Sequence, residues 1–166
     1  MSRENTDVTL SVIIPLFNEV DKVAEVLNRV SAVPISKQII VVDDCSKDGT
    51  RALLQNEIEG KYGELKVIYQ ESNGGKATCI RRAIPSAIGK YTIIQDGDLE
   101  YDPADYTKIV QLLESSNAEA VYGSRFLKEW PPMKLPNKIV NKLLAFMVRV
   151  LYNAPITDEA TCYKAF

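Results

Sequence analysis

Apolar positions along this chain follow two alternating rhythms. Residues 10–16 form a near-continuous apolar run, the pattern of a strand buried on both faces and therefore central in a parallel sheet. Val20, Val23, Ala24, Leu27 and Val30 then recur at helical spacing, and residues 39–42 form a second apolar run ending in Asp43 and Asp44, which completes a βαβ unit. The same reading predicts a helix over 52–58, a strand over 65–69, a helix over 77–88 weakened by Pro85, and a strand over 91–94. Asp102, Pro103 and Asp105 supply the cap acceptor, first-turn proline and first-turn acid of a helix running to about residue 114. A fifth strand is expected over 118–122, and a proline-containing loop at 130–136 leads into an apolar helix over 137–152. Strands alternating with helices predict an α/β fold with a Rossmann-like, mostly parallel sheet and helices on both faces. Ligands of such sheets sit at the carboxyl ends of the strands.

Composition narrows the chemistry. A length of 166 residues with 46% hydrophobic and 25% charged residues fits a single globular domain and excludes disorder or a fibrous repeat. Twenty basic against twenty-two acidic residues leave a formal charge of −2, so overall charge gives no case for nucleic acid. The chain has no histidine, which removes Ser-His-Asp and Cys-His catalysis and imidazole metal sites. Chemistry here must run on carboxylates, lysine and arginine. Cys45, Cys79 and Cys162 lack metal or redox spacing and read as reduced thiols. With no signal-peptide pattern and no membrane-spanning run, the expected location is the cytoplasm or the cytoplasmic face of a membrane.

The polar residues at the predicted strand ends carry the candidate chemistry. In QDGDLEYDP, Asp96 and Asp98 flank Gly97 directly after a strand, an arrangement suited to Mg²⁺ or Mn²⁺ bridging to a diphosphate. The alternative is a turn, but Asp102 already serves as the next helix cap. VVDDCSKDGT matches a calcium loop at its first positions and then fails, with Gln55 where the bidentate Glu belongs. Asp43 and Asp44 read better as acceptors for a nucleoside, with Asp48 open to reading as a plain helix cap. SNGGKAT is not a Walker motif, yet Gly74 and Gly75 can offer amides and Lys76 a charge to an anion; the alternative is a surface turn. From Arg125 onward, Lys128, Lys134, Lys138, Lys142 and Arg149 stand against the single acid Glu129. A basic patch beside an apolar helix fits an anionic acceptor with a greasy tail at a membrane surface, or equally a core helix with solvated lysines.

Taken in order, SVIIPLFNE, VVDDCSKDGT, SNGGKATCIRRAI, QDGDLEYDPADY, VYGSRF and TDEATCYKAF resemble family 2 glycosyltransferases of the GT-A nucleotide-diphospho-sugar transferase fold, and most of all the polyprenyl-phosphate hexosyltransferases, the dolichyl-phosphate mannose synthase-like group. The resemblance implies that Pro15, Phe17, Asn18, Glu19, Asp43 and Asp44 bind the nucleotide with Lys76 and Asp96 near it. It also implies that Asp96 and Asp98 frame the metal, that Ser124 and Arg125 hold an acceptor phosphate, and that Asp158 stands near the reacting centre with Asp98 and Arg125. Val20, commonly acidic in the family, and Ala77, commonly glycine, depart from its pattern. The chain ends at Phe166, where the family continues, so the resemblance also implies a catalytic domain truncated at its C-terminal end. The expected reaction is metal-dependent, inverting transfer of a hexose from UDP- or GDP-hexose to a dolichyl or undecaprenyl phosphate. Transfer to a glycan hydroxyl and a non-catalytic nucleotide-binding fragment are the alternatives.

Overall fold

The computed structural model describes residues 7–116, 118–127 and 134–166. Lys128, Glu129 and most of the expected proline-containing loop lie outside the described residues. Six strands form one sheet in the order β3-β2-β1-β4-β6-β5. β1 (Leu10–Leu16) pairs in parallel with β2 (Lys37–Asp43) and β4 (Tyr91–Ile94), and β2 pairs in parallel with β3 (Leu65–Tyr69). β6 (Lys164–Ala165) lies antiparallel to both β4 and β5 (Val121–Tyr122). Its two residues are too short to show a period, and sequence reasoning missed them. The expected fifth strand shortens to two residues for a related reason: its pairing partner offers no more.

The period of two along β1 sorts its side chains between two cores. Leu10, Val12, Ile14 and Leu16 pack on one face with Val23, Val26, Leu27 and Val30 of α1 (Val23–Ala32) and Tyr106, Ile109 and Leu113 of α4 (Tyr106–Ser115). Ile13 packs on the other face with Ile40, Val42 and Ile94, covered by Cys79 and Ala83 of α3 (Lys76–Ala83). Helices therefore cover both faces of a mostly parallel sheet, as the sequence pattern predicts.

Two helices differ from expectation. α2 (Thr50–Leu53) runs into a wider π-turn over Leu54–Ile58, closed by Glu59 N–H donating to Leu54 O at 2.9 Å. That winding places Leu54 and Ile58 together in the core. α3 stops at Ala83 and tightens into a 3₁₀ turn over Ile84–Ser86, because Pro85 has no N–H to continue the helix. The last helix, α5 (Leu135–Tyr152), begins with Pro136 in its first turn and ends at Asn153 in the left-handed conformation (φ 51°). Ala145 is its one buried residue among the described side chains, while Ile139, Leu143, Phe146, Met147, Val150 and Leu151 are exposed. Within this chain the segment is therefore not a core helix: its side chains, the apolar arc included, are exposed around most of its circumference.

Candidate functional site

The sheet reverses its winding between β1 and β4, and a cavity of about 300 Å³ opens at their carboxyl ends. Pro15, Phe17, Glu19, Asp44, Lys76, Asp96 and Asp98 all line it. Seven residues expected at the donor site thus converge on one place.

The acidic loop after β4 is held from behind. Gln95, buried, donates through Nε2 to Asp96 O and Tyr101 O, both at 3.1 Å, and its Oε1 accepts from Tyr106 Oη at 2.8 Å. Tyr101 stacks on Tyr163 with ring centroids 5.0 Å apart, and Tyr163 Oη donates to Asp102 O at 2.9 Å. The TCYK segment is therefore a clamp on the acidic loop. Gly97 gives the loop its close approach to β1, since a Cβ there would stand 2.5 Å from Cδ2 of the buried Leu16 and force that side chain or the loop to shift. Leu99 takes a left-handed conformation (φ 66°), and the turn it makes brings Glu100 back beside Asp96 and Asp98. These three carboxylates offer oxygens all within 4.8 Å of one another, a donor set that fits a hard divalent cation. Glu100 was not singled out from sequence. The signal was available in the alternation D-x-D-x-E, but only the tight turn makes the third acid converge.

Asp44 organises the loop opposite. Its Oδ1 accepts from Gln70 Nε2 at 2.6 Å and Gly74 N–H at 2.8 Å, and its Oδ2 accepts from Gly75 N–H at 2.8 Å. The two glycine amides expected to face an anion are thus spent on Asp44. What the loop presents to the cavity is Lys76, the first residue of α3, whose Nζ pairs with Asp96 Oδ1. Burial lowers the Lys76 pKa, but Asp96 and Cys162 outweigh it and the net shift is upward.

Asp43 and Asn18 are turned to other work. Asp43 is fully buried, pairing through Oδ2 with Arg51 Nε at 2.7 Å and accepting Ser46 N–H on Oδ1 at 3.2 Å. Asn18 (φ 57°) accepts Lys47 N–H on Oδ1 at 2.9 Å and donates its own N–H to Ser46 Oγ at 3.0 Å. Neither is among the residues lining the cavity, and the bonds they make brace the loops around it. Asp48 accepts from Thr50 N–H at 2.9 Å and Val20 N–H at 3.1 Å. Burial raises its pKa, but the Thr50 hydroxyl and these two amides prevail and hold it low; Gly49 stands at the N-cap of α2, so Asp48 bonds the first helical amide from one position before the cap.

Ser124 and Arg125 line a second, larger groove of about 940 Å³ between α4, β5 and α5. Arg125 donates Nε to Asp158 Oδ2 at 2.8 Å and Nη2 to Asp158 Oδ1 at 3.0 Å. Asp158 is fully buried, and its hydrogen bond raises the Arg125 pKa against the effect of burial. Both carboxylate oxygens of Asp158 are thereby engaged.

A glycosyl transferase family 2 profile matches residues 11–166. The chain belongs to glycosyl transferase family 2. It is 31% identical over 129 residues to a dolichol-phosphate mannosyltransferase of Pyrococcus furiosus, spanning 74% of this chain and 36% of that protein. It is 30% identical over 120 residues to a dodecaprenyl-phosphate galacturonate synthase of Rhizobium johnstonii, spanning 70% of this chain and 36% of that one. The alignments thus span about a third of the length of these two relatives. A mannosyltransferase from Pyrobaculum calidifontis, solved in complex with GDP-Man and Mn²⁺, superposes with a TM-score of 0.66 at 23% identity, covering 98% of this chain and 45% of the other. That likeness establishes the GT-A fold expected of family 2. Cys45, Cys79 and Cys162 carry no disulfide, and among the described residues no helix is long and apolar enough to cross a membrane.

Proposed function

We propose that this family 2 protein transfers a hexose from UDP- or GDP-hexose to a polyprenyl phosphate, with inversion and with Mg²⁺ or Mn²⁺ at its acidic loop. The observation that carries this reading is the convergence of Asp96, Asp98 and Lys76 on the cavity at the β1–β4 switch point, with Glu100 close enough to the two aspartates to complete a three-carboxylate set. In this reading Asp96, Asp98 and Glu100 hold the metal, which when bound would neutralise charge on the departing diphosphate. Pro15, Phe17 and Glu19 wall the nucleoside, the Phe17 ring being exposed enough to offer its face to a base.

The acceptor side supports a phosphate nucleophile. A phosphate monoester has a second pKa near 6 and is mostly dianionic at neutral pH, so no protein base has to remove a proton. Asp158, with both oxygens on Arg125, orients the guanidinium beside Ser124 and is not placed to act as that base. A glycan hydroxyl acceptor would need one. Attack by the phosphate oxygen on the anomeric carbon, opposite the leaving diphosphate, inverts the centre. The names of the two relatives, a dolichol-phosphate mannosyltransferase and a dodecaprenyl-phosphate galacturonate synthase, support the same acceptor class.

α5 supports a membrane surface as the place of reaction. Its exposed apolar arc is edged by Lys138, Lys142 and Arg149, spaced to share one side of the helix. An apolar face flanked by cations fits an anionic lipid surface.

The test is transfer of labelled hexose from UDP- and GDP-sugars to undecaprenyl phosphate in detergent with Mn²⁺. Transfer with one nucleotide, lost in Asp96→Ala with Asp98→Ala, is expected. Transfer to a free oligosaccharide but not to the lipid phosphate would overturn the acceptor assignment.

A further inference from the structure

Lys76 is the one cationic side chain among the described residues lining the switch-point cavity, and it faces Glu19, Asp44, Asp96 and Asp98. It is committed to Asp96, one of the three carboxylates of the candidate metal cluster. An ammonium seated on a carboxylate oxygen competes with a divalent cation for that oxygen and repels it. Lys76 thus takes Oδ1 of Asp96 out of use and sets a positive charge beside the cluster, so a divalent cation binds the three acids more weakly while Lys76 stays there.

The surroundings say what can release it. The backbone at Lys76 is fixed, because Gly75 holds a left-handed φ of 77° and Asp44 grips the amides of Gly74 and Gly75. The side chain of Lys76, 38% exposed and held by Asp96 and Cys162, is the part of the residue left to exchange partners. With those glycine amides already engaged, Lys76 is the loop's remaining positive group for an anion entering the cavity. A diphosphate is such an anion, and it offers the ammonium more negative charge than one carboxylate does.

We propose that Lys76 is a resident counter-cation of the metal site, held on Asp96 until a donor diphosphate draws it away, so that divalent cation and nucleoside diphosphate bind in concert. This rests on the donor-site reading above and adds to it a mechanism of coupling. Thermodynamic linkage makes the coupling reciprocal: nucleotide tightens metal binding by the same factor by which metal tightens nucleotide binding. Part of that factor belongs to the exchange of Lys76 between Asp96 and phosphate. The protein is thereby disfavoured from holding a bare metal ion or a bare nucleotide.

The experiment measures Mn²⁺ binding through the electron paramagnetic resonance signal of the free ion, with Mn²⁺ alone and with saturating UDP or GDP. Wild type, Lys76→Met and Lys76→Arg are compared, with Lys76→Gln as a second uncharged variant should the methionine variant fold poorly. The uncharged variants should bind Mn²⁺ alone about five- to tenfold more tightly than wild type, and the enhancement by nucleotide should shrink by a similar factor. Lys76→Arg, which keeps the charge, should retain the weak binding of Mn²⁺ alone. If wild type binds Mn²⁺ and nucleotide but the uncharged variants hold Mn²⁺ no more tightly, the counter-cation role is overturned while the donor site stands. If wild type binds neither, separately or together, the donor-site reading falls and the proposal with it.

Discussion

Arg125 and Asp158, 33 residues apart in sequence, meet in a two-bond ion pair, and the backbone N–H of Arg125 also donates to Asp158 Oδ2 at 3.1 Å. One carboxylate thus sets both the side chain and the backbone of the arginine assigned to the acceptor. Asp158→Asn removes the charge and leaves Arg125 partly buried without its partner. Stability should fall by about 3 kcal/mol, as for other broken buried pairs. Urea unfolding checks this, and acceptor KM should rise more than donor KM.

The pair of Asp43 and Arg51 separates scaffold from site. Arg51 also donates to Gln70 O and lies over the Tyr69 ring, 5.4 Å from its centroid. Arg51→Met leaves the Asp43 carboxylate buried and uncompensated, at a cost of about 3 kcal/mol. Calorimetry below the unfolding temperature should find nucleotide affinity changed less than twofold, because Asp43 does not line the cavity. A large loss of affinity in folded protein would instead return Asp43 to the binding site.

Gly97 makes the acidic loop possible. Its added Cβ in Gly97→Ala would press on Leu16, which is buried and has little room to retreat. Overpacking of this kind costs about 1–3 kcal/mol. Because relief requires moving the loop that carries Asp96 and Asp98, metal-dependent nucleotide binding should weaken as well, a combination measurable by thermal shift with and without Mn²⁺.

Burial pushes the Cys79 thiol up to about 11 from its ordinary value of 9.0, the neighbouring Asp44 charge adding to the effect. The folded protein then binds its proton more tightly than the unfolded chain does. This contribution is fully present below pH 9 and is lost as pH rises toward 11. Urea midpoints of wild type should therefore fall more steeply between those values than midpoints of Cys79→Ala. Parallel curves would show that the thiol does not contribute.

The outward face of α5 should govern lipid binding without governing the fold. Leu143→Asp with Phe146→Asp, both at exposed positions, should leave the melting temperature within a few degrees. Binding to vesicles of anionic lipid should drop at least tenfold in a flotation assay. Binding of wild type should weaken as salt rises, because Lys138, Lys142 and Arg149 supply its electrostatic part.

Much of this architecture was legible before folding was considered. β1, β3 and β4 coincide with the expected runs; for β1 and β4 the reason is that a strand buried in a parallel sheet writes its length directly into the sequence, while β3, half-buried at the sheet edge, shows it through its β-branched and aromatic residues. The acidic pair at 96 and 98 was visible for a similar reason: its neighbours in space are also its neighbours in the chain. Partnerships that cross the chain were not. Nothing local distinguishes Asp43, which belongs to Arg51, from Asp44, which belongs to Gly74 and Gly75, nor shows that Asp158 belongs to Arg125. β6 was hidden because two residues carry no period; α5 was visible as a helix, but its exposure was not, because a helical rhythm reports an apolar arc without saying what covers it. The sequence by itself determined the alternation of strands and helices and the acids at the strand ends, since both depend on spacing along the chain. Only the tertiary structure decided which of those charges meet each other and which are left to face a ligand, since a carboxylate's role is set by the partner that arrives beside it.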